Sequence, residues 1–405
     1  MSKPKVCLIT PGHIATNPRL VKEIAALTEM GLQVHVVFTQ YIEKLNSEDQ
    51  KIIAQYPQLT FDALNWSSND ALSYCRKIYS GLLQKISRKL AAKFSGNLFK
   101  VLALNRHYFW QLRKAINTKS DLYIAHNLGA LAVAVKAAKK NKMKCGFDAE
   151  DFHRFELSDD LFDNDVRLKI SIEEKYMPMA NYLSAASPLI ANAYQELLNR
   201  EITSILNVFQ QVNIAIKTEI EDPIKLFWFS QTIGPNRGLE TVIKAMGLLR
   251  TSRLELHLLG ECSEFYKTQL IEMGRDQVIF YDTIGPNDLF QLASTFDIGM
   301  ATETGMPYNR EICLTNKIFT YLQSGLAIIA SNTLAQKELI NEYPNMGLIY
   351  NKNDENSLAA CLKGFLNDHE KLLEAKKSSV ELASNTFNWE IESVKFKRLV
   401  SKTIE

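Results

Sequence analysis

Residues 314–332 read LTNKIFTYLQSGLAIIASN, and their order carries more chemical information than any other stretch of the chain. Residues 316–323 have helical spacing, Ser324 and Gly325 end that segment, and 326–330 is an apolar run suited to a buried strand. A helix start leaves N–H groups free and carries the positive end of the helix dipole, so it favours an anion. Lys317 adds a positive charge there, Asn316 stands beside it, and Thr320 supplies a neutral hydroxyl one turn later. Upstream, Glu303 and the run Tyr308-Asn309-Arg310-Glu311 form a polar loop that either glutamate could use to approach a polyol.

Three other segments hold candidate chemistry. Residues 227–240, FWFSQTIGPNRGLE, place Ser230, Gln231 and Arg237 just beyond an apolar run, and an arginine fork can neutralise a phosphorylated ligand with paired hydrogen bonds. Residues 10–19, TPGHIATNPR, offer Gly12 for a tight turn, His13 beside it, and Asn17 as a cap for a helix begun by Pro18. A phosphate or sugar hydroxyl could lie against those amides; a plain strand-to-helix turn is the competing reading. His126-Asn127 and Asp148-Ala149-Glu150-Asp151-Phe152-His153 follow two further strands. A carboxylate such as Glu150, raised in pKa by burial, could position or deprotonate a hydroxyl, whereas a solvated acidic loop is the bland alternative. Gly260 and Thr283-Ile284 close two more strands and taken alone are ordinary strand ends. No G-x-G-x-x-G fingerprint is present, which argues against nicotinamide chemistry. Asp163-Asn164-Asp165 spells D-x-D, but in an acidic loop, and reads as solvent-facing. No metal site is expected.

These residues need elements to hold them. Apolar or β-branched runs at 6–10, 34–38, 122–125 and 145–147 alternate with amphipathic stretches such as 20–30 and 128–139. The rhythm repeats at 226–229, 255–259, 278–281, 298–301 and 327–330, with helices expected at 238–249, 266–273, 286–294, 316–323 and 335–341. Such βαβ alternation predicts α/β architecture, two parallel sheets each covered on both faces. Length agrees: 405 residues suit two domains of about 200 residues each. The expected boundaries are 1–206, a linker at 207–223, a second domain at 224–385, and a final helix at 386–405. Two open sheets in sequence put ligands at the carboxyl ends of their strands, expected here to face one cleft.

Bulk composition is that of a globular protein, 46% hydrophobic and 23% charged, with formal net charge +2. Six scattered cysteines form no C-x-x-C pair and fit reduced thiols in a cytoplasmic protein. The N-terminal apolar run is too short for a signal peptide, and none is long enough to span a bilayer. One segment departs from the average: residues 71–120 contain no Asp or Glu and eleven Lys or Arg, interleaved with Leu82, Leu83, Ile86, Leu90, Phe94, Leu98, Phe99, Tyr108, Phe109 and Trp110. This mix predicts contact with an anionic membrane surface, which would make the protein peripheral at the inner face of the plasma membrane. Binding to nucleic acid or a phosphate-bearing acceptor, and simple packing with solvated basic faces, compete with that reading. No nucleic-acid partner is expected overall.

The order Asn-Lys, aromatic-rich helix, Gly, buried strand in 316–330 resembles the nucleotide-sugar segment of family 4 glycosyltransferases. That pattern has Glu where this chain has Thr320. The family's paired cations in G-R…K-G correspond here to Ser230-Gln231 and Arg237-Gly238, so one cation is kept and the other is a neutral amide. Neither glutamate of its E-x7-E pair is present; the positions fall on Thr320 and Ile312, with Glu311 adjacent and Glu303 on the same loop. The family's D-x-H-E site corresponds to Asp148–Asp151, with Glu150-Asp151 replacing His-Glu. Losing a ribose carboxylate removes a bond worth about 1.5–3 kcal/mol, which predicts an altered nucleotide grip.

The resemblance implies a GT-B fold of two Rossmann-like domains and a metal-independent, retaining hexosyltransferase that needs no cofactor beyond a nucleotide-diphospho-sugar donor. It implies that Arg237 and Lys317 stabilise the departing diphosphate, with Glu150 and Glu311 as catalytic carboxylates. Gly12, His13, Asn17, Ser230, Gln231, Gly260, Thr283, Ile284, Glu303, Asn316 and Thr320 would hold the donor, the loop at Thr283 and Ile284 taking the base. His126, Asn127, Asp148, Asp151 and His153 would face a glycan or lipid-linked acceptor, as in cell-envelope polysaccharide or glycoconjugate synthesis. A nucleotide-sugar epimerase of the same architecture, and a non-catalytic glycan- or partner-binding derivative, remain open on the sequence.

Overall fold

A computed structural model of the chain describes residues 3–67, 70–93 and 96–405. Phe94 of the basic segment lies outside the described residues. The chain divides into two compact units: Met1–Ile205 with Ser393–Glu405, and Leu206–Glu392. Residues 207–223, expected as a linker, belong to the second unit, and the returning tail begins at Ser393, within the helix Trp389–Ile404.

The first unit is built on seven parallel strands: β1 (Lys5–Ile9), β2 (Gln33–Gln40), β3 (Thr60–Asn65), β4 (Leu122–His126), β5 (Lys144–Ala149), β6 (Tyr182–Ala185) and β7 (Thr203–Ser204). Their order is β3-β2-β1-β4-β5-β6-β7. Helices cross between them, notably Pro18–Glu29 and Leu128–Asn141. The central strands read as unbroken apolar runs, VCLI and LYIA, because both their faces are covered.

The second unit repeats the plan with six parallel strands: β8 (Ile224–Ile233), β9 (Leu254–Cys262), β10 (Val278–Tyr281), β11 (Ile298–Ala301), β12 (Ala327–Ser331) and β13 (Gly347–Tyr350). Their order is β10-β9-β8-β11-β12-β13. The helix Asn316–Gln323 lies where its spacing predicts. Its Tyr321 ring occupies the space that a side chain at Gly299 would fill, and the Tyr321 hydroxyl donates to the Met300 carbonyl at 3.1 Å. That contact fixes the helix against β11.

Both sheets change winding direction at one place, between β1 and β4 in the first unit and between β8 and β11 in the second. Open α/β sheets bind ligands beyond the carboxyl ends of the strands at such a point. The loops leaving these four strands begin at Thr10, Asn127, Gly234 and Thr302. Most of the candidate residues stand on or next to them.

Candidate functional site

In the second unit, the loop after β8 is held to the segment after β11. The Thr302 hydroxyl donates to the Arg237 carbonyl at 2.6 Å, and an Arg310 N–H donates to the Asn236 carbonyl at 3.4 Å. Gly238 permits this approach: its φ is +77°, and a Cβ there would stand 2.8 Å from the Thr302 carbonyl oxygen. The backbone of the Arg237 loop is thereby anchored, while among the described residues no ion pair or side-chain hydrogen bond engages its guanidinium.

Below it, Lys317 Nζ lies 3.0 Å from Glu303 Oε1 and 5.4 Å from the centre of the Trp228 ring. Glu303 is buried, which would push its pKa up. Lys317, then Arg310 and Arg237, outweigh burial and hold the carboxyl below its ordinary range. Glu303 is therefore a carboxylate paired with Lys317 and held ionised by the added field of Arg310 and Arg237.

The helix beginning at Asn316 adds to that field. Its N-cap, Thr315, makes no capping bond, and the buried Thr315 hydroxyl has no partner. The first-turn N–H groups consequently lack the side-chain acceptor that a capping residue normally supplies. Nearby in the chain, the fully buried Thr333 hydroxyl and both ends of the buried Gln336 amide are also unpartnered. Sequence reasoning passed over Thr315, Thr333 and Gln336; the threonines were visible only as residues at helix starts.

The remaining candidates of this unit are placed as follows. Thr320 is fully buried and its hydroxyl donates to the Asn316 carbonyl at 3.0 Å, so in this structure it is bonded within its own helix. Glu311 pairs with Lys352 Nζ at 2.5 Å and accepts from the Leu334 N–H at 3.2 Å, which ties the loop to the start of the helix Leu334–Glu342. Ser230 and Gln231 lie at a bulge near the end of β8, with Gln231 exposed. Gly260 has φ +148°, and any Cβ there would collide with the Ser230 carbonyl oxygen. Thr283 and Ile284 are exposed in the loop after β10.

The first unit's switch point is built differently. Arg19, at the start of the helix Pro18–Glu29, grips Asp148 through Nε and Nη2 and donates from Nη1 to the Ile205 carbonyl at 2.6 Å. The Ser184 hydroxyl also donates to Asp148 at 2.6 Å. Burial alone would raise the Asp148 pKa, but Arg19 and then His126 reverse the shift and hold it low. His126 Nε2 stands 3.0 Å from Glu23 and its Nδ1 3.4 Å from Glu150. Burial would lower the pKa of this imidazole; Glu23, Glu150 and Asp148 overcome it and raise the value to about 10. Glu150 Oε1 also accepts from Asn17 Nδ2 at 2.6 Å, while Asn17 Oδ1 accepts from the Leu20 N–H.

The arrangement ranks the acceptor-side candidates. Asp148 and His126 are enclosed among charged partners, whereas Glu150, one of the partners of His126, keeps a quarter of its side chain exposed. Asn127 adopts φ +68° and caps the helix Leu128–Asn141 through the Gly129 N–H. His153 is buried 3.5 Å from Glu156, and Asp151 is half-buried on the same loop. His13 is enclosed as well. Its Nδ1 bonds Asp49 at 2.7 Å and its Nε2 accepts from the N–H groups of Tyr41 and Ile42, which fixes the tautomer and leaves neither nitrogen for a ligand. Its place is to brace the loop carrying Gly12, whose carbonyl accepts from the Thr39 N–H at 3.2 Å.

Glu23, His126 and Asp148 offer three ligand atoms within 4.8 Å of one another, close enough for a cation. Arg19 already bonds both oxygens of Asp148, which is poor company for a metal ion. In the D-x-D run, Asp163 caps the helix Asn164–Tyr176 and Asp165 pairs with Lys169 at 3.1 Å.

Residues 224–368 match the family model described as Glycosyl transferases group 1, which falls wholly within the second unit. No curated protein matches the chain in sequence. Among solved structures, Anabaena Alr3699/HepE in complex with UDP is 16% identical, with a TM-score of 0.70 over 98% of this chain and 100% of that one. Sucrose-phosphate synthase from Thermosynechococcus elongatus is 16% identical, with a TM-score of 0.69 over 99% of each chain. A glycosyltransferase from Rickettsia africae ESF-5 is 12% identical, with a TM-score of 0.68 over 100% of each. These likenesses run the length of the chain and show its fold, the two Rossmann-like units of GT-B architecture.

Proposed function

We propose that this chain is a glycosyltransferase of family 4 type that moves a hexosyl group from a nucleotide-diphospho-sugar to a glycan or lipid-linked acceptor, without a metal and with retention. The observation that carries the reading is the switch point of the second unit. Lys317 pairs with Glu303, Arg310 and Arg237 add positive potential at that carboxylate, and Glu311 of the same loop is taken by Lys352, beside an uncapped helix start. This is the electrostatics a leaving diphosphate needs, because charge that develops there meets donors already in position. The match of residues 224–368 to glycosyl transferases group 1, and the UDP bound by the Anabaena relative, support the same assignment.

In this reading the phosphates lie between the Arg237 guanidinium and the N–H groups of Asn316 and Lys317. Glu303 keeps Lys317 in place and faces the sugar. Glu311 braces the loop through Lys352 and Leu334. The nucleotide lies toward Thr283 and Ile284, and Thr320, buried and bonded within its own helix, offers it no carboxylate. On the acceptor side, Glu150, held by Asn17 and His126, is the group able to take a hydroxyl proton.

Thermal denaturation with UDP, GDP and ADP and their sugars tests this directly, since a ligand bound only to the folded chain raises Tm by mass action. A UDP-sugar is expected to stabilise the second unit and to be consumed slowly by hydrolysis or transfer. Conversion of the donor to its epimer would show an epimerase instead. Absence of any nucleotide binding by calorimetry would mark a non-catalytic derivative.

A further inference from the structure

The helix Ala71–Lys93 in the first unit is turned inside out. Its packed face carries Ser73, Ser80 and Ser87, all buried, beside Gly81 and Gln84. Its outer face carries Leu72, Ile78, Tyr79, Leu82 and Ile86, which are 46–70% exposed. At 100° per residue, positions 75, 78, 79, 82 and 86 form one stripe opposite the serines, and Lys89 and Lys93 continue it. The helix bears six cations (Arg76, Lys77, Lys85, Arg88, Lys89 and Lys93) and no acid. A helix whose role was only to cover the sheet would present the opposite pattern.

We propose that this face docks on an anionic lipid bilayer, with the stripe entering the headgroup region and the lysines and arginines meeting lipid phosphates. Three observations select that occupant. Cations without a single acid on the helix require an anionic partner, which disfavours a second copy of the same face, since pairing would bring twelve cations together. Leu, Ile and Tyr between the cations fit a surface that is apolar beneath its charge. No helix among the described residues is long and apolar enough to cross a membrane, so the attachment is peripheral. Acids beside the helix do not cancel its charge: Asp70 precedes it and is taken by the N–H groups of Leu72 and Ser73, Asp163 caps another helix, and Asp165 is paired with Lys169.

The proposal stands apart from glycosyl transfer, because vesicle binding is measurable whether or not any donor binds. In flotation assays the full chain is expected to rise with mixed phosphatidylcholine–phosphatidylglycerol vesicles at low salt. It should stay behind with phosphatidylcholine alone and be released at high salt. The paired change Lys85→Glu with Lys89→Glu should weaken binding by roughly tenfold or more. Leu82→Ser with Ile86→Ser should do the same through loss of apolar insertion. Phe265→Ser, at an exposed apolar residue of the second unit, should change nothing. Circular dichroism melts of each variant confirm folding. Wild-type protein that fails to float at low salt overturns the proposal, as does flotation that ignores both paired variants. Stripe-dependent binding to RNA in place of vesicles, or stripe-dependent dimers that do not float, assigns the face to those partners and overturns it too.

Discussion

The two switch points have the same topology and opposite electrostatics. In the first unit Arg19, Glu23, His126 and Asp148 are buried and paired in charge, although Glu23 Oε2 and His126 Nε2 complete no hydrogen bond, and Glu150 reaches the surface. In the second, Lys317 pairs with Glu303 while Arg310 and Arg237 add positive potential, and a helix start and two threonine hydroxyls lack partners. A closed network sets shape: it locks the first helix to the ends of β4 and β5 and aims Glu150. An open one invites a ligand, because an anion supplies what the protein leaves out.

The largest effect should come from breaking the closed network. Asp148→Ala leaves Arg19 buried without its partner, an error that typically costs about 3–5 kcal/mol. Denaturant unfolding should show that loss in the first unit, while nucleotide binding by the second persists. A mild loss would mean that Arg19 finds water or another acceptor and that the network is less rigid than its distances imply.

The open site should respond in binding before stability. Lys317→Ala removes a charge-assisted contact worth about 1.5–3 kcal/mol, so affinity for a nucleoside diphosphate should fall roughly 10- to 150-fold. The same change strands Glu303, which the double variant Lys317→Ala, Glu303→Gln relieves. Stability should therefore return in the double variant while affinity does not, as paired melts and titration calorimetry would reveal. Recovery of both would reduce Lys317 to a structural counter-ion.

The difference between the halves also explains which parts were legible in sequence. Central strands such as β1, β4, β11 and β12 are covered on both faces and read as apolar runs. The strands β3, β6, β7 and β13 at or next to the sheet margins are short or half-exposed, and passed unnoticed. Arg237, Glu303 and Lys317 stood out because charges at strand ends and helix starts are uncommon without a use. Arg19 and Glu23 did not, since a charged residue inside an amphipathic helix looks solvent-facing, and their partners lie more than a hundred positions away. His13 and Asp148 stand beside motifs with candidate chemistry, but their side chains are committed to Asp49 and Arg19.

A pH titration addresses the closed network alone. His126 holds its proton up to about 10 in the folded chain, against about 6.5 when unfolded. A raised folded pKa gives stability that is fully present below the unfolded value and is lost as pH rises through the folded one. The stability gap between wild type and His126→Asn should therefore be constant below about pH 6.5. It should narrow steadily above that and close near 10. A gap that does not change with pH would show that the ring is neutral and that Glu23 carries the proton.

The smallest expected effect asks whether the open site can be opened further. Gln231 is exposed at the end of β8, at the position that matches a cation in the family 4 pattern this segment resembles. Gln231→Arg adds a charge at a solvated position, so its gain is limited by screening to about 0.2–1 kcal/mol, a roughly 1.5- to 5-fold tighter nucleoside diphosphate. Added salt should erase that gain sooner than it weakens the contribution of Lys317, which is mostly buried against Glu303 and Trp228. Equal salt sensitivity would place Lys317 and residue 231 in similar solvent, contrary to the packing around Glu303. No gain at any salt concentration would mean that the phosphates bind beyond the reach of β8, and that Arg237 and the helix start at Asn316 hold them alone.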